Sequence, residues 1–284
     1  METLVDLHTH SLHSDGVLSP EALVALAATR RVGLLALTDH DTTAGCEAAA
    51  RACRDHGIDF VPGAELTCGH LEREIHVVGL DIDATHPALE SYLARVVALR
   101  HERIAAIGAK LAAGKVTGDR DVGAEVLADA ISTRTVPTRT HVARRLMALG
   151  LATSVQAAFD KHLGQGRTGH VKAQWPPMPE AVDAIVRAGG IAVLAHAHRY
   201  RFSNGQLDAL CAAFRAAGGE GLEVGLAGLS PNDYARLARL ARRHGLAGSI
   251  ASDFHEPGLP WRPLGRFAKL PDQVAPLLAR LRPS

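Results

Sequence analysis

Short apolar runs recur along the chain, and each carries or leads into side chains that can bind metals. The first run, at residues 4–7, is followed by His8 and His10, and Asp15 comes five residues later. Runs of about four to eight apolar residues are typical of buried strands. The same feature recurs at residues 34–38 before His40, 60–63 before Glu65, 75–80 around His76, 191–195 before His196, and 250–252 before Asp253 and His255. The pattern predicts strands whose ends carry imidazoles and carboxylates.

Helical patterns lie between these runs. The SPE sequence at residues 19–21 has the N-cap, first-turn proline and early acidic residue of a helix start. A second helix is predicted from about Thr43 to His56, and Gly57 is suited to end it. Further helices are predicted from residue 179 to the glycines at 189 and 190, and from 232 to 244. Strands that alternate with helices of about 10–15 residues indicate parallel βαβ units, so we expect an α/β fold.

Residues 99–165 differ from the rest of the chain. They have a helical pattern rich in Ala and Arg, and they hold ten Lys and Arg residues against six Asp and Glu. We predict a small helical insertion here that caps the active site, between the two parts, 1–98 and 166–284, of one metal-binding domain. A basic cap would suit an anionic substrate. An ordinary solvated helical subdomain explains the charge equally well.

Composition narrows the class of protein. The chain has 284 residues, of which 47% are hydrophobic, so it can bury a full core, and its net charge of +1 argues against a general nucleic-acid binder. No apolar stretch approaches the roughly 20 residues that span a membrane. The first residues are already strand-like, so we expect no cleaved signal peptide. The four cysteines, at positions 46, 53, 68 and 211, have no paired spacing, which predicts a reducing, cytoplasmic location.

The repeated pattern yields nine candidate metal ligands. In α/β folds the carboxyl ends of the strands converge, so side chains at those ends are expected to lie close together. His8 and His10 alternate along one extended segment and should point to the same side. The full set is His8, His10, Asp15, His40, Glu65, His76, His196, Asp253 and His255.

These ligand types indicate the chemistry. Imidazoles and carboxylates without a thiolate suit Zn²⁺, Mn²⁺ or Fe²⁺, and nine side chains are enough for two or three ions. Glu65 and Asp253 are the natural bridges, because a carboxylate has two oxygens. Metals about 3.5–4 Å apart hold a bridging hydroxide. We expect that hydroxide to be the nucleophile, with Asp15 and His196 among the residues that support it. Asp39 is a candidate for orienting a metal-bound imidazole, whereas Asp6 is interpreted as a buried structural acid.

Taken together, these residues resemble the PHP (polymerase and histidinol phosphatase) superfamily. The resemblance covers residue 4 to about 256. It rests on residues 6–10 (DLHTH), 14–16 (SDG), 37–41 (LTDHD), 62–65 (PGAE), 74–77 (EIHV), 194–196 (LAH) and 252–255 (SDFH). The resemblance implies a distorted (β/α)7 barrel with a trinuclear site for Mn²⁺, Fe²⁺ or Zn²⁺, manganese being our first choice.

The resemblance also implies how the ligands divide among three ions. His8, His10, Glu65 and Asp253 would hold the first, and Glu65, His76 and His196 the second. The third would be held by Asp15, His40 and His255.

Within the superfamily, the chain is most similar to a subgroup with an inserted domain. Members hydrolyse 3′,5′-nucleoside bisphosphates to 5′-monophosphates, and some trim short RNA from the 5′ end. The shared stretches are residues 139–144 (RTHVAR), 159–164 (FDKHLG) and 196–200 (HAHRY). Two stretches depart from the usual GRPH and HPGRY patterns, since Thr138 and Thr140 flank Arg139 and since Ala197 and His198 replace Pro-Gly.

Several basic residues are candidates for binding a phosphate substrate, because the planar fork of arginine matches phosphate oxygens. Arg199 follows the candidate ligand His196 by three residues, and His198 lies between them. Arg134, Arg139 and Arg103 belong to the predicted insertion. Simple surface charge is the alternative for each. With 4% aromatic residues the chain has no broad stacking platform for long single strands, so we expect a small nucleotide or short RNA.

The sequence therefore predicts a metal-dependent phosphatase that acts on the 3′-phosphate of 3′,5′-nucleoside bisphosphates. A histidinol phosphate phosphatase would share the metal site without needing the insertion. A non-catalytic metal-stabilised module would be expected to lack ligands, and here all nine are present. A metallo-amidohydrolase also begins with an HxH pair, but it would usually bridge its metals with a lysine.

Overall fold

The computed structural model describes residues 4–259 and 261–282. The chain divides into two compact units. The first comprises Met1–Leu93 with Trp175–Ser284, and the second is Ala94–Gln174. The second unit therefore begins five residues before, and ends nine residues after, the predicted boundaries at 99 and 165.

The first unit contains a seven-stranded sheet in which the strands are neighbours in chain order. The strands β1 to β3, and again β5 to β7, pair in parallel. The strands are β1 (Leu4–Asp6), β2 (Val32–Leu37), β3 (Asp59–His70), β4 (Arg73–Leu80), β5 (Ile191–Leu194), β6 (Gly221–Leu226) and β7 (Ala247–Ala251).

Strand β4 departs from the parallel pattern, since it pairs antiparallel with both β3 and β5. It forms a hairpin with β3 through Leu71 and Glu72, whose φ angles are 46° and 59°. Two consecutive residues with positive φ are typical of the tight turn that joins antiparallel strands. This two-residue turn joins β3 directly to β4, without a crossover helix between them. His76 therefore lies opposite Thr67 on the neighbouring strand. Sequence periodicity alone did not show this reversal.

The chain segments beyond β1 and β7 meet. Thr9 forms a parallel bridge with Phe254, the amide of His10 donates to the Phe254 carbonyl at 2.9 Å, and the amide of Asp253 donates to the His8 carbonyl at 3.0 Å. The sheet is open in its strand order, and these contacts join its two ends just past the strands. The predicted α/β fold is confirmed, and the arrangement agrees with a distorted seven-stranded barrel.

Five α-helices lie entirely within the described part of the first unit. Helix α1 (Pro20–Thr29) is capped by the Ser19 hydroxyl and has a proline at its first turn, as predicted. Helix α2 (Cys46–His56) is followed by Gly57, which adopts φ 65° and ends the helix. Cys46 and Cys53 are buried in the core between these two helices and the sheet. The helices are α1 (Pro20–Thr29), α2 (Cys46–His56), α7 (Met178–Arg187), α8 (Asn204–Ala216) and α9 (Pro231–His244).

The second unit is helical and has a core of its own, to which Ile104, Ile107, Val142 and Leu146 belong. Helix α3 starts in the first unit and continues into the second. The helices are α3 (Pro87–Ala113), α4 (Val122–Thr133), α5 (Arg139–Ala148) and α6 (Val155–Ala158), followed by a π-helical turn (Phe159–Leu163). Among the residues that the structure describes, no helix combines the length and the apolar character that crossing a bilayer requires.

Candidate metal centre

The segment after β1 places His8 and His10 on the same side, and both residues are fully buried. Their Nε2 atoms lie 3.0 Å apart. Thr9 points the other way, and its hydroxyl donates to the Ala36 carbonyl at 2.6 Å. This alternation is the period of an extended strand, as expected. The two imidazoles are therefore placed so that they could serve as one pair of nitrogen ligands.

Glu65 lies at the centre of the cluster and is fully buried. Its Oε1 lies 2.9 Å from His76 Nδ1 and 2.8 Å from His196 Nε2. Its Oε2 lies 2.9 Å from His40 Nδ1 and 3.3 Å from His8 Nε2. The two oxygens thus face different imidazoles, which is the geometry that a carboxylate between two cations requires.

Asp15 defines a second part of the cluster. Its Oδ1 lies 3.2 Å from His255 Nε2 and 3.7 Å from His40 Nε2. The loop before it turns back sharply, since the Gly16 amide donates to the Ser11 carbonyl at 2.9 Å. A Cβ on Gly16 would lie 2.4 Å from the His10 carbonyl oxygen, so glycine is required at this position.

The two carboxylate oxygens of Asp253 face different groups of side chains. Its Oδ1 lies 3.3 Å from His10 Nε2, 3.6 Å from His8 Nε2 and 3.5 Å from His255 Nδ1. Its Oδ2 faces guanidinium groups instead. Asp253 also has a φ of 54°, a conformation that non-glycine residues rarely adopt and that is often found at functional sites.

Among the described residues, seven of the nine candidate ligands form three groups, and within each group the donor atoms all lie within 4.8 Å of one another. The predicted division among three ions shared only Glu65 between two ions. In the structure His10 and His40 also belong to two groups each. The groups are His10, Asp15, His40 and His255; His8, His10 and Glu65; and His40, Glu65 and His76.

This geometry fits divalent cations. Glu65 Oε2 and His40 Nδ1 are buried and lie 2.9 Å apart, but neither atom makes a hydrogen bond of acceptable geometry to any described residue. Buried polar atoms are normally satisfied, so such atoms call for an explanation. A cation among the imidazoles and carboxylates would satisfy both. The thiols do not compete for this role, because burial raises the pKa of Cys68 well above its ordinary value.

The carboxylates of the cluster remain ionised. Burial opposes the charged form of Glu65, but the neighbouring His40 and His76 hold its pKa well below the ordinary value. Asp15 and Asp253 behave in the same way, for Asp15 through His255 and for Asp253 chiefly through two arginines. Burial, reinforced by other imidazoles, lowers the pKa of His10 to about 3. His10 is therefore neutral, the state in which an imidazole binds a metal ion, whereas in the metal-free protein the neighbouring carboxylates raise the pKa of His8, His76 and His255.

Glu223 contacts two of the candidate ligands and was not singled out from the sequence. Its Oε1 lies 2.6 Å from His8 Nδ1, and its Oε2 accepts a hydrogen bond from the backbone amide of His196. The side chain, on β6, is 1% exposed. A carboxylate on one ring nitrogen of histidine directs the other nitrogen to a metal. A single acid within the buried GLEVGL strand was the available signal, because buried acids are almost always paired.

Asp39 connects to His10 through a serine. Its Oδ1 accepts from the Ser14 hydroxyl at 2.6 Å, and that hydroxyl lies 3.4 Å from His10 Nδ1. This contact supports the predicted orienting role. Asp6 instead accepts backbone hydrogen bonds from Ser252 at 2.9 Å and Gly265 at 2.8 Å. Burial raises the pKa of Asp6 to about 6. This agrees with the interpretation of Asp6 as a buried structural acid.

The candidate substrate residues divide between the two units. Arg199 and His198 lie on a short 3₁₀ turn after β5, and Arg199 Nη1 donates to Asp253 Oδ2. Burial lowers the pKa of His198 to about 4, so this imidazole is neutral in the free protein at neutral pH, and its contact with substrate stays a prediction.

The other three arginines belong to the second unit. Arg103 Nε donates to the Val171 carbonyl at 3.2 Å, and the Arg139 guanidinium lies 5.3 Å from the centre of the Phe159 ring. Arg134 ends α4 with φ 54°. Their contact with substrate stays a prediction.

Residues 6–121 match the family model of the PHP domain. A 5′-3′ exoribonuclease of Haemophilus influenzae is 41% identical over 272 residues, which cover 96% of this chain and 97% of that protein. The chain belongs to the PHP family. A 3′,5′-nucleoside bisphosphate phosphatase of Chromobacterium violaceum is 40% identical over 277 residues, covering 98% of this chain and 96% of that protein.

A solved structure extends the similarity to three dimensions. An amidohydrolase from Chromobacterium violaceum, with bound sulfate and no metal, has a TM-score of 0.90 and 38% identity, and the match covers 98% of this chain and 95% of that one. The high identity to phosphoesterases over nearly the full length of this PHP protein places it among the phosphoester hydrolases.

Proposed function

We propose that this protein hydrolyses the 3′-phosphate of 3′,5′-nucleoside bisphosphates, such as adenosine 3′,5′-bisphosphate, to nucleoside 5′-monophosphate and phosphate. The observation that supports it most strongly is the buried cluster around Glu65, whose two oxygens face five imidazoles. Arg199 lies at the edge of this cluster, where a phosphate would be bound. The relative of 40% identity is named for this reaction.

We also propose that the protein trims short oligoribonucleotides from the 5′ end. The two substrates share one reacting bond, because a 3′,5′-bisphosphate is the shortest 5′-phosphorylated nucleotide with a phosphoryl group on its 3′ oxygen. In both cases water adds to phosphorus, the bond to the 3′ oxygen breaks, and that oxygen takes up a proton. The relative of 41% identity is named as a 5′-3′ exoribonuclease, which supports this second activity.

The proposed cofactor is two or three divalent cations, with manganese first and iron or zinc as alternatives. The nine ligands predicted from the sequence would hold them. When bound, such cations supply an activated water and neutralise charge on the phosphoryl oxygens. The candidate ligands are His8, His10, Asp15, His40, Glu65, His76, His196, Asp253 and His255.

The residues around the cluster contribute in different ways. Glu223 holds His8 so that its Nε2 faces Glu65, and His255 lies between Asp15 at its Nε2 and Asp253 at its Nδ1. Arg199 directs a fixed positive charge at the position where negative charge increases during phosphoryl transfer. Seven of the nine candidate ligands are buried, and charges act more strongly in such surroundings than in water.

Two variants test the proposal. Asp15→Asn and His196→Ala are expected to reduce turnover of adenosine 3′,5′-bisphosphate by roughly a thousandfold, because each removes a group that organises transition-state charge. Both should also lower the bound metal measured by elemental analysis. Asp55→Asn and His56→Ala are matched controls at exposed positions of α2.

Substrate comparison separates the alternatives. We expect wild-type protein to favour adenosine 3′,5′-bisphosphate over histidinol phosphate, and to release nucleotides one by one from a short 5′-phosphorylated RNA. Equal or faster hydrolysis of histidinol phosphate would overturn the nucleotide assignment. Full activity in both site variants would overturn the site.

A further inference from the structure

Arg262, in the loop after β7, reaches the metal centre. Its Nη1 lies 3.1 Å from Asp253 Oδ2, the oxygen that Arg199 also contacts. The two arginines come from different loops, after β5 and after β7, and converge on one carboxylate oxygen. The sequence pattern does not suggest this, because Arg262 lies seven residues beyond the last candidate ligand, His255.

Asp253 separates the metal side from the arginine side. Its Oδ1 faces His8, His10 and His255, whereas its Oδ2 faces the two guanidinium groups. A cation bound among the imidazoles would use Oδ1 and would leave the arginine contacts in place. The arginines are therefore held at a defined position beside the metal centre.

Two guanidinium groups share one carboxylate oxygen at this position. The other oxygen of the same carboxylate faces three imidazoles. The side chains of Arg199 and Arg262 remain 30% and 26% exposed, so an incoming molecule can reach them. A guanidinium carries five N–H donors, and the described ion pair of Arg262 is made by Nη1. Two partly exposed guanidinium groups that share one carboxylate oxygen are suited to bind an anion as well.

We propose that Arg262 binds substrate phosphate together with Arg199, and that the two arginines grip the phosphoryl oxygens beside the metal centre. The proposal rests on the proposed function for the identity of the substrate. The group that the two arginines would bind is a phosphate dianion or a phosphate ester. Planar guanidinium groups bind such groups with paired hydrogen bonds. In the metal-loaded enzyme, Asp253 orients both arginines.

The experiment measures phosphate binding without a nucleotide. Inorganic phosphate is titrated calorimetrically into metal-loaded wild-type protein, Arg262→Ala and Arg262→Lys, all at the same ionic strength. We expect the alanine variant to bind phosphate about tenfold more weakly, the loss typical of one hydrogen bond to a charged group. The lysine variant should be intermediate, because it keeps the charge and loses the fork. Arg266→Ala, an exposed position of the same loop, should bind like wild type.

Metal content and kinetics complete the test. Elemental analysis should show unchanged metal in Arg262→Ala, and its KM for the nucleotide should rise by a larger factor than its kcat falls. Unchanged phosphate affinity in this variant would refute the proposal. Loss of metal would also refute it, because Arg262 would then merely hold Asp253. If wild-type protein binds phosphate through Arg262 but does not hydrolyse nucleoside bisphosphates, the proposed function fails and this inference survives.

Discussion

Glu65 and Asp253 are both buried carboxylates of the metal centre, but they face different partners. Both oxygens of Glu65 face imidazoles. Asp253 faces imidazoles with Oδ1 and the arginines Arg199 and Arg262 with Oδ2. From this difference we propose that Glu65 holds the cluster together, whereas Asp253 connects the cluster to the two arginines that would bind substrate.

The largest effect is expected from Glu65→Gln. The amide cannot offer two anionic oxygens to opposite groups of imidazoles, so we expect metal content to fall by at least one ion per chain and kcat to fall by roughly a thousandfold. Elemental analysis and turnover of adenosine 3′,5′-bisphosphate measure these losses. Glu90→Gln, at an exposed position of α3, is the control. Full metal content in Glu65→Gln would refute the bridging role.

A different profile is expected from Asp253→Asn. Removal of this charge leaves the arginines without their anchor, so phosphate affinity should fall about tenfold or more in addition to a partial loss of metal. Calorimetric titration with inorganic phosphate, combined with metal analysis, separates the two losses. If Asp253→Asn and Glu65→Gln lose metal equally and bind phosphate equally, the distinction between the two carboxylates is wrong.

Glu223→Gln tests the support behind the cluster. Glutamine keeps the shape but not the charge beside His8 Nδ1, so we expect metal affinity to fall about 10- to 100-fold, as is usual when such a partner is removed. Competition with a chelator measures this affinity without using enzyme activity. Glu223→Ala should lose more than Glu223→Gln. Equal affinity in wild type and both variants would show that Glu223 serves stability alone.

The smallest effect concerns the pH dependence of the metal-free protein. Burial opposes the protonation of His76, but Glu65 and Glu74 raise its pKa to about 10. This contribution to the free energy of unfolding is fully present below the unfolded pKa of about 6.5 and is lost as pH rises toward 10. His10, whose pKa burial lowers to about 3, has the opposite sign, because the unfolded state binds more protons between pH 3 and 6.5.

Stability of the chelator-treated protein should therefore rise from pH 3 to about 6.5 and then fall, by more than about 1 kcal/mol between pH 6.5 and 10. Urea unfolding at several pH values measures the curve. His76→Gln should flatten the fall at high pH. Metal loading should make the loss of stability at high pH smaller still, because metal ions bind neutral imidazole. A fall that is identical in His76→Gln would contradict the assignment.

Much of the site could be predicted from local patterns. His8, His10 and Glu65 follow apolar strands, and the carboxyl ends of strands converge in α/β folds, so sequence order alone indicated their neighbourhood. The structure brings them together as that rule expects. The antiparallel hairpin at Leu71 and Glu72 was missed because an apolar run has the same appearance in either direction.

Glu223 and Arg262 could not be identified in the same way. Each lies far along the chain from its partner, since Glu223 contacts His8, 215 residues away. Neither residue belongs to the motifs that carry the family resemblance. A single acid in a strand, or a single arginine in a loop, has too many ordinary explanations to be assigned from its position alone.

The sequence by itself determined the types of ligand, their attachment to strand ends and the membership in a metal-binding family. The tertiary structure alone decided which oxygen of each carboxylate faces which group, and which distant residues support the ligands. The physical reason is the distance along the chain over which each interaction acts. Strand periodicity and capping act over a few residues, whereas the closing contacts between His8, Thr9, Asp253 and Phe254 depend on the whole sheet.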